Sequence, residues 1–254
     1  MNYEQIAKEV RRDVLTLLNK GQTSHAASNL SLTDLAVGLY ENLKEEDFVI
    51  FSKGWASALH YILEIRRGKL NRDEVFNTFP NPPYLGLLES QVPTVITAGG
   101  SVGHGLNVGK GLALGLKKDK KSGIVYVICS DGEMQEGSTW EAALSASHNR
   151  LDNLVVIIDR NTWQAMGKTE EVCEIEPLHE KWEAFGWEVN RINGHNFDEI
   201  ERAICGERQL SDRPLCIIGD TEKGHGVSFM VNHLLFHYKH VTDEELELAL
   251  AELQ

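Results

Sequence analysis

The chain is organised around Ile124-Val125-Tyr126-Val127-Ile128-Cys129-Ser130-Asp131-Gly132-Glu133 and a second stretch, Leu154-Val155-Val156-Ile157-Ile158-Asp159-Arg160-Asn161. Both begin as apolar, β-branched runs of strand length and end in short side chains that carry oxygen or nitrogen. Residues 136–149 lie between them and have the apolar spacing of a helix. A strand, a helix and a second strand form the repeating unit of a parallel sheet, whose ligands bind beyond the carboxyl ends of the strands.

The rest of the sequence extends the same alternation in both directions. Helical spacing predicts an amphipathic helix over residues 4–20, and an apolar run predicts a further strand at 214–220. Residues 22–30 are predicted to form a polar loop, followed by a helix that begins near Ser31. We therefore predict an α/β fold, one domain over residues 1–254, with an open, mostly parallel sheet flanked by helices.

Composition and charge exclude several classes of protein. With 254 residues, 42% of them hydrophobic and 25% charged, the chain has the composition of a globular protein with a large core. Its net charge of -13 argues against a nucleic-acid partner, and no stretch approaches the roughly 20 apolar residues of a membrane span. The polar N-terminus predicts no secretory signal. The four cysteines, at 129, 173, 205 and 216, are predicted to be buried free thiols in a reducing cytoplasm.

The polar ends of the two central strands offer ligands for a hard divalent cation. Asp131 would supply an anionic oxygen, Asn161 a neutral side-chain oxygen and Trp163 a backbone carbonyl. Oxygen ligands suit Mg²⁺, or Ca²⁺ or Mn²⁺ in its place, and Mg²⁺ keeps positions open for a phosphate. Gly132 would let a diphosphate approach the backbone closely. A plain Asp-Gly turn without a ligand is the alternative, since that dipeptide is common in turns.

The sequence at 130–143, Ser-Asp-Gly-Glu-Met-Gln-Glu-Gly-Ser-Thr-Trp-Glu-Ala-Ala, together with Asp159-Arg160-Asn161, strongly resembles the thiamine diphosphate motif of transketolases. The family pattern is Gly-Asp-Gly, and this chain has Ser130 at the first position. The resemblance extends over residues 4–253 and implies thiamine diphosphate and Mg²⁺ as cofactors. It implies cofactor contacts from Gly100, Ser101, Val102, Ser130, Asp131, Gly132, Glu133, Asn161, Lys223 and His237.

Other motifs of the same family supply a set of implied catalytic residues. Residues 97–106 resemble the family's glycine-rich cofactor loop. His25 matches a histidine that faces the reacting carbon of the cofactor, and His237 matches one that reaches the diphosphate. Glu136 and Glu141 match glutamates that form an acidic network between two active sites at the dimer interface. The resemblance thus implies a catalytic set of His25, His104, His237, Glu136 and Glu141.

Two departures from the family concern the substrate. The family has Ser-Lys-Gly-His-Ala where this chain has Ser52-Lys53-Gly54-Trp55-Ala56, and an indole offers a single N–H and accepts no proton. A second substrate-contacting histidine of the family lies in a proline-containing loop, and this sequence has no histidine between His60 and His104. The resemblance therefore predicts an altered pocket for a small sugar or sugar phosphate.

The resemblance covers only the diphosphate-binding domain of a transketolase. It implies the N-terminal subunit of a split, two-subunit enzyme that transfers a two-carbon ketol unit from a ketose to an aldose-type acceptor. The implied partner is a C-terminal subunit that contains the pyrimidine-binding domain, in a heterotetramer of two of each chain. The chain on its own is then expected to be inactive.

Two alternatives remain open from the sequence. The α subunit of another thiamine diphosphate enzyme, such as a 2-oxo acid dehydrogenase, also uses an Asp-Gly…Asn magnesium motif. A non-catalytic scaffold or regulatory paralogue would explain Trp55 and the missing loop histidine. Asp131, Asn161, His25 and His237 favour an enzyme over that scaffold.

Overall fold

The computed structural model describes residues 2–206 and 212–254. The strands within these residues are β1 (Phe48–Phe51), β2 (Val125–Ser130), β3 (Leu154–Arg160), β4 (Trp163–Gln164), β5 (Gly167–Lys168), β6 (Glu188–Asn193) and β7 (Leu215–Asp220). Five of them form one parallel sheet in the order β1-β2-β3-β7-β6, and β4 and β5 form a small antiparallel hairpin. The predicted α/β fold with an open, mostly parallel sheet is confirmed.

Helices cover both faces of the sheet. Within the same residues they are α1 (Tyr3–Gly21), α2 (Ala26–Tyr40), α3 (Ser57–Arg66), α4 (Arg72–Thr78), α5 (Gly105–Lys118), α6 (Gly137–His148), α7 (Thr169–Val172), α8 (Leu178–Ala184), α9 (Phe197–Cys205) and α10 (Asp243–Glu252). Short 3-10 helices span Gly132–Gln135, Ser228–Met230 and Leu234–His237.

Two apolar cores flank the sheet because successive residues of a strand point to opposite faces. In β3, Val155 and Ile157 pack with α1, α2 and α3, whereas Val156 and Ile158 pack with α5, α6 and α8. Strands β2 and β3 are buried at every position. Continuous apolar strands of this kind are typical of parallel sheets covered on both faces.

The register of β2 and β3 brings their polar ends together. Ser130 is paired with Asp159, so Asp131 and Asn161 lie just beyond the paired residues at the same edge of the sheet. The loop that follows β7 begins at that edge with Thr221, whose hydroxyl contacts the carboxylate of Asp159. The fold thus gathers oxygen-bearing side chains from three neighbouring strands.

Helix α2 begins at Ala26, so the predicted polar loop is correct over residues 22–25 and wrong over residues 26–30, and the predicted helix start near Ser31 is five residues late. Every residue of α2 is buried. Its polar side chains bond inside the protein: Ser31 donates to Asp159 at 2.7 Å, and Asn29 donates to the backbone carbonyl of Trp55 at 3.3 Å. The polar residues that suggested a loop instead make internal contacts from a buried helix.

The cysteine prediction is correct in part. All four thiols are free, and Cys129 and Cys216 are buried in the sheet, whereas Cys173 and Cys205 are exposed. The two exposed residues lie at the ends of α7 and α9, where the helix surface turns to solvent. Among residues 2–206 and 212–254, the structure contains no helix that is both long and apolar enough for a membrane span.

Candidate cofactor site

A pocket of about 280 Å³ opens beside the carboxyl ends of β2 and β3. Its lining brings together many of the residues singled out from the sequence: His25, Val102, Ser130, Asp131, Gly132, Glu136, Asn161, Trp163 and His237. The other lining residues are Ser28, Lys53, Trp55, Gln135, Gln164 and Ala165.

The two carboxylate oxygens of Asp131 have different surroundings. Oδ2 accepts the backbone N–H of Thr162 at 2.8 Å and the hydroxyl of Thr169 at 3.1 Å, and it pairs with Arg160 at 3.1 Å. Oδ1 accepts the backbone N–H of Gly132 at 2.8 Å and keeps a lone pair for a cation. Burial raises the pKa of Asp131 to about 6, although Arg160 opposes the shift. A bound cation would stabilise the carboxylate form.

Asn161 is oriented by a buried carboxylate. Asp159 accepts the side-chain N–H of Asn161 at 3.0 Å. This bond fixes the orientation of the amide, so its oxygen points away from Asp159. That oxygen accepts the backbone N–H of Trp163 at 3.0 Å. Burial alone would raise the pKa of Asp159, but its partners hold that pKa below the usual value. Three further side chains donate to this carboxylate, those of Ser31, Lys53 and Thr221.

Two imidazole rings line the pocket with their centroids 4.9 Å apart. Nδ1 of His25 lies 2.8 Å from the hydroxyl of Ser24, and Nδ1 of His237 lies 2.9 Å from Nζ of Lys223. In each ring, Nε2 is therefore the nitrogen available to a ligand. Burial, with the charges of Lys223 and Lys53, lowers the pKa of His25 to about 4 and that of His237 to about 3. Both rings are neutral at pH 7.

Trp55 lines the pocket beside His25, with ring centroids 6.5 Å apart. The indole thus forms part of a pocket wall rather than of the core. The backbone next to it approaches the glycine-rich loop closely, because a Cβ atom at Gly54 would lie only 2.3 Å from the Cα atom of Gly99. This contact holds the segment that carries Trp55 against the loop that carries Val102.

We expect Gly54→Ala to lower the free energy of unfolding by about 2 kcal/mol, because the added methyl group would push two backbones apart. Urea denaturation measures this change. Gly111→Ala is the matched control, since a Cβ atom at this exposed position of α5 would meet nothing within 4 Å. Alanine is expected to stabilise that helix by up to about 1 kcal/mol. Equal stability of the Gly54 variant and the wild type would contradict the close contact.

Glu133 is fully buried next to the pocket and connects two segments around it. Its carboxylate accepts the backbone N–H of Gly103 at 2.8 Å and of Ser130 at 3.3 Å, and it also accepts the hydroxyl of Ser52. Burial raises the pKa of Glu133 despite these bonds. Lys223 is also buried, behind His237, and contacts its ring.

The remaining predicted residues lie at or beyond the rim. Gly100 and Ser101 belong to the same loop as Val102, and His104 is exposed at the start of α5. Glu136 is exposed where it lines the pocket, and Glu141 is exposed on α6. The structure does not bring His104 or Glu141 into the lining of this pocket.

Two residues that hold the predicted ligands in place have no role predicted from the sequence. Lys53 is 1% exposed and pairs with Asp159, and Arg160 is 5% exposed and pairs with Asp131. The sequence did contain a signal for these roles. Lys53 and Arg160 lie directly beside or within apolar strands, and a charged residue that is buried in such a place is nearly always paired. The partner of each could not be read from spacing, since Lys53 and Asp159 are 106 residues apart.

Solved structures with the same fold are transketolases. The transketolase of Campylobacter jejuni has a TM-score of 0.91 at 27% identity, over 100% of this chain and 43% of that chain. The transketolase of Leishmania mexicana has a TM-score of 0.92 at 23% identity, over 100% of this chain and 41% of that chain. The chain therefore spans less than half the length of these solved enzymes.

A family model described as "Transketolase, thiamine diphosphate binding domain" matches residues 3–253, and the chain belongs to this family. An apulose-4-phosphate transketolase subunit of Phocaeicola vulgatus is 34% identical, over 96% of this chain and 90% of that protein. The 6-deoxy-6-sulfo-D-fructose transketolase subunit SqwG of Clostridium sp. (strain MSTE9) is also 34% identical, over 98% of this chain and 94% of that protein.

Proposed function

We propose that this chain is the N-terminal subunit of a thiamine diphosphate- and Mg²⁺-dependent transketolase-like enzyme of the cytoplasm. It forms one diphosphate-binding domain over residues 1–254, and the complete enzyme transfers a two-carbon ketol unit from a ketose to an aldose-type acceptor. One observation carries the proposal: Asp131 and Asn161 line the same pocket as His25 and His237. Such a pocket suits a cofactor with a metal-bound diphosphate at one end and a reacting carbon at the other.

The donor set of the pocket fits a hard cation. Asp131 Oδ1, Asn161 Oδ1 and the carbonyl of Trp163 would hold Mg²⁺, because all three are oxygen atoms and one carries negative charge. Arg160 and Asp159 orient the two side-chain ligands from behind.

His237 is set up to donate a hydrogen bond to the diphosphate. The ammonium group of Lys223 has no lone pair, so it donates to Nδ1 of His237, and the ring proton then resides on Nε2. Burial lowers the pKa of Lys223 only to about 8, so most of this group is charged at pH 7. The neutral imidazole therefore offers an N–H donor to an anionic ligand.

Thiamine diphosphate supplies the carbanion chemistry when it is bound. His25, neutral and with Nε2 available, would exchange a proton with a hydroxyl group of the substrate. Trp55 would position the sugar through contact with its ring face and exclude water from that side of the pocket.

A second chain would complete the enzyme by holding the pyrimidine end of the cofactor. The two relatives described above are each named as one subunit of a transketolase, and this chain covers nearly their full length, which supports a two-chain enzyme. We propose a heterotetramer of two of each chain. Glu136 and Glu141 would then form the acidic network at its dimer interface.

The test is calorimetric titration of thiamine diphosphate into this chain, alone and with its C-terminal subunit, in the presence and absence of Mg²⁺. We expect binding that requires Mg²⁺ and transfer between sugars that requires both chains. Transfer by the single chain would contradict the two-subunit enzyme. Absence of binding under every condition would favour the scaffold, and oxidative activity with a 2-oxo acid would favour the other thiamine enzyme.

A further inference from the structure

A cluster of ionisable side chains lies outside the pocket lining, where α1, α2 and the loops after β6 and β7 meet. Asp34 of α2 is 3% exposed, and its Oδ2 accepts from Arg11 and from Nδ1 of His195, each at 2.7 Å. The rings of His195 and His225 stack at a centroid distance of 3.5 Å. Glu222 approaches the cluster through a 3.5 Å contact with His225.

The spacing of Asp34, His195 and His225 is compatible with a metal site, but their bonding is not. Their ligand atoms lie within 4.8 Å of one another. The guanidinium of Arg11 already contacts the Asp34 oxygen that a metal would use. Both ring nitrogens of His195 are also engaged, Nδ1 by Asp34 and Nε2 by the backbone N–H of Glu222 at 2.8 Å. The ligand atoms of Asp34 and His195 are therefore not free to bind a metal ion.

The bond from Glu222 fixes the protonation of His195. A backbone amide can only donate, so Nε2 of His195 is the acceptor. The ring proton is then on Nδ1, which donates to the carboxylate of Asp34. One neutral imidazole thus connects a buried carboxylate of α2 to the backbone of the loop after β7.

That loop carries two groups that contact the candidate cofactor site. Thr221 donates to Asp159, the carboxylate that orients Asn161, and Lys223 donates to His237. The backbone amide of Glu222, which His195 holds, lies directly between them in the sequence. A second tether, from the N–H of Gly224 to the carbonyl of Ala27 at 3.0 Å, joins the same loop to the start of α2.

We propose that His195 is a positioning residue for the diphosphate end of the pocket, because it locks the 221–226 loop to Asp34 and so sets the places of Thr221 and Lys223. The inference rests on the proposed function in one respect, namely that the ligand whose affinity depends on the position of this loop is thiamine diphosphate. The two hydrogen bonds of His195 that fix the loop are present in the chain without any ligand. Neither His195 nor Asp34 lines the pocket.

Two substitutions and one control test this lock. His195→Ala removes both hydrogen bonds. His195→Gln retains a donor and an acceptor, since the amide nitrogen and oxygen are spaced much like the two ring nitrogens. Asn196→Ala is the matched control in the same turn: Asn196 caps α9 by accepting from the backbone of Asp198 and Glu199, so its loss weakens the fold without touching the loop.

Hydrogen exchange of the 221–226 segment is measured first, without cofactor, and titration of thiamine diphosphate with Mg²⁺ follows on the complex with the partner chain. We expect His195→Ala to speed exchange at Glu222 and to weaken cofactor binding, each about tenfold, as is common when an orienting hydrogen bond is lost. His195→Gln is expected to stay near the wild type in both measurements, and Asn196→Ala is expected to change neither.

Three results would overturn the inference: unchanged exchange in His195→Ala, equal loosening of the loop in Asn196→Ala, or a loosened loop with unaltered cofactor affinity. A wild-type complex that binds no thiamine diphosphate would instead refute the proposed function. In that case the exchange measurements still decide whether His195 locks the loop.

Discussion

Asp131→Asn is expected to weaken Mg²⁺-dependent binding of thiamine diphosphate about 100-fold or more, because it removes the one anionic oxygen among the proposed metal ligands. The substitution keeps the size of the side chain. The oxygen that faces the pocket becomes neutral, or is replaced by an N–H₂ group that cannot bind a cation. Titration with and without Mg²⁺, together with direct binding of Mn²⁺ followed by electron paramagnetic resonance, measures the loss.

The control for this experiment is Asp119→Asn, which makes the same change of charge at a side chain that is 65% exposed beyond the end of α5. It is expected to leave Mg²⁺-dependent binding unchanged. If Asp131→Asn binds the metal and the cofactor as tightly as the wild type, Asp131 is not a ligand and the pocket has another occupant. A loss of Mn²⁺ binding in both variants would instead point to a general effect of net charge.

Asp34→Asn is expected to lower the free energy of unfolding at pH 7 by about 3 kcal/mol, because it breaks a buried pair and leaves Arg11 without its anionic partner. Burial alone would raise the pKa of Asp34, but the hydrogen bond from His195 and the charge of Arg11 lower it to about 2. The lowering of this pKa corresponds to roughly 2–3 kcal/mol.

The sign of this shift gives the pH dependence. A folded-state pKa below the unfolded value means that the stabilisation is fully present above about pH 4 and is lost as the pH falls towards about 2. Urea denaturation should therefore show a constant difference between wild type and Asp34→Asn from pH 7 to pH 5, and a smaller one at pH 3. Asp13→Asn is the control, since Asp13 makes a similar pair with Arg72 on the surface. That variant is expected to lose less than about 1 kcal/mol, and an equal loss would mean that burial adds nothing.

The fold was predictable because its two central strands have a clear sequence pattern, an apolar run followed by polar residues. An apolar run that ends in Ser130-Asp131-Gly132, and another that ends in Asp159-Arg160-Asn161, can satisfy their backbones in a parallel sheet with the polar residues at one edge. The bonds that Oδ2 of Asp131 accepts from Arg160 and Thr169 were not predictable in detail. They depend on which side chains approach from behind, and that depends on the packing of distant segments.

The start of α2 shows that polar residues in a sequence are not always exposed in the structure. Ser28 and Asn29 suggested a polar loop, yet both are buried, as is Ser31. Lys53 donates to the backbone carbonyl of Ser28, Ser31 donates to Asp159, and Asn29 bonds to the backbone of Trp55 and Leu59. Buried polar groups with full hydrogen bonding look like surface residues in a sequence. The same holds for His195, a polar residue of the turn after β6 whose ring nitrogens both bond inside the protein.

The pocket takes its two ends from different stretches of the chain. The oxygen atoms proposed as cation ligands lie in residues 131–163, whereas His25, Trp55 and Val102 lie in residues 25–102. Mutations in the earlier stretch can alter the pocket wall at Trp55 while the proposed cation ligands in the later stretch are inherited unchanged, provided that Ser31 and Lys53 continue to hold Asp159. If the proposed function holds, a lineage with this architecture can acquire new substrates by gradual divergence of the wall residues while it retains the residues that bind the cofactor.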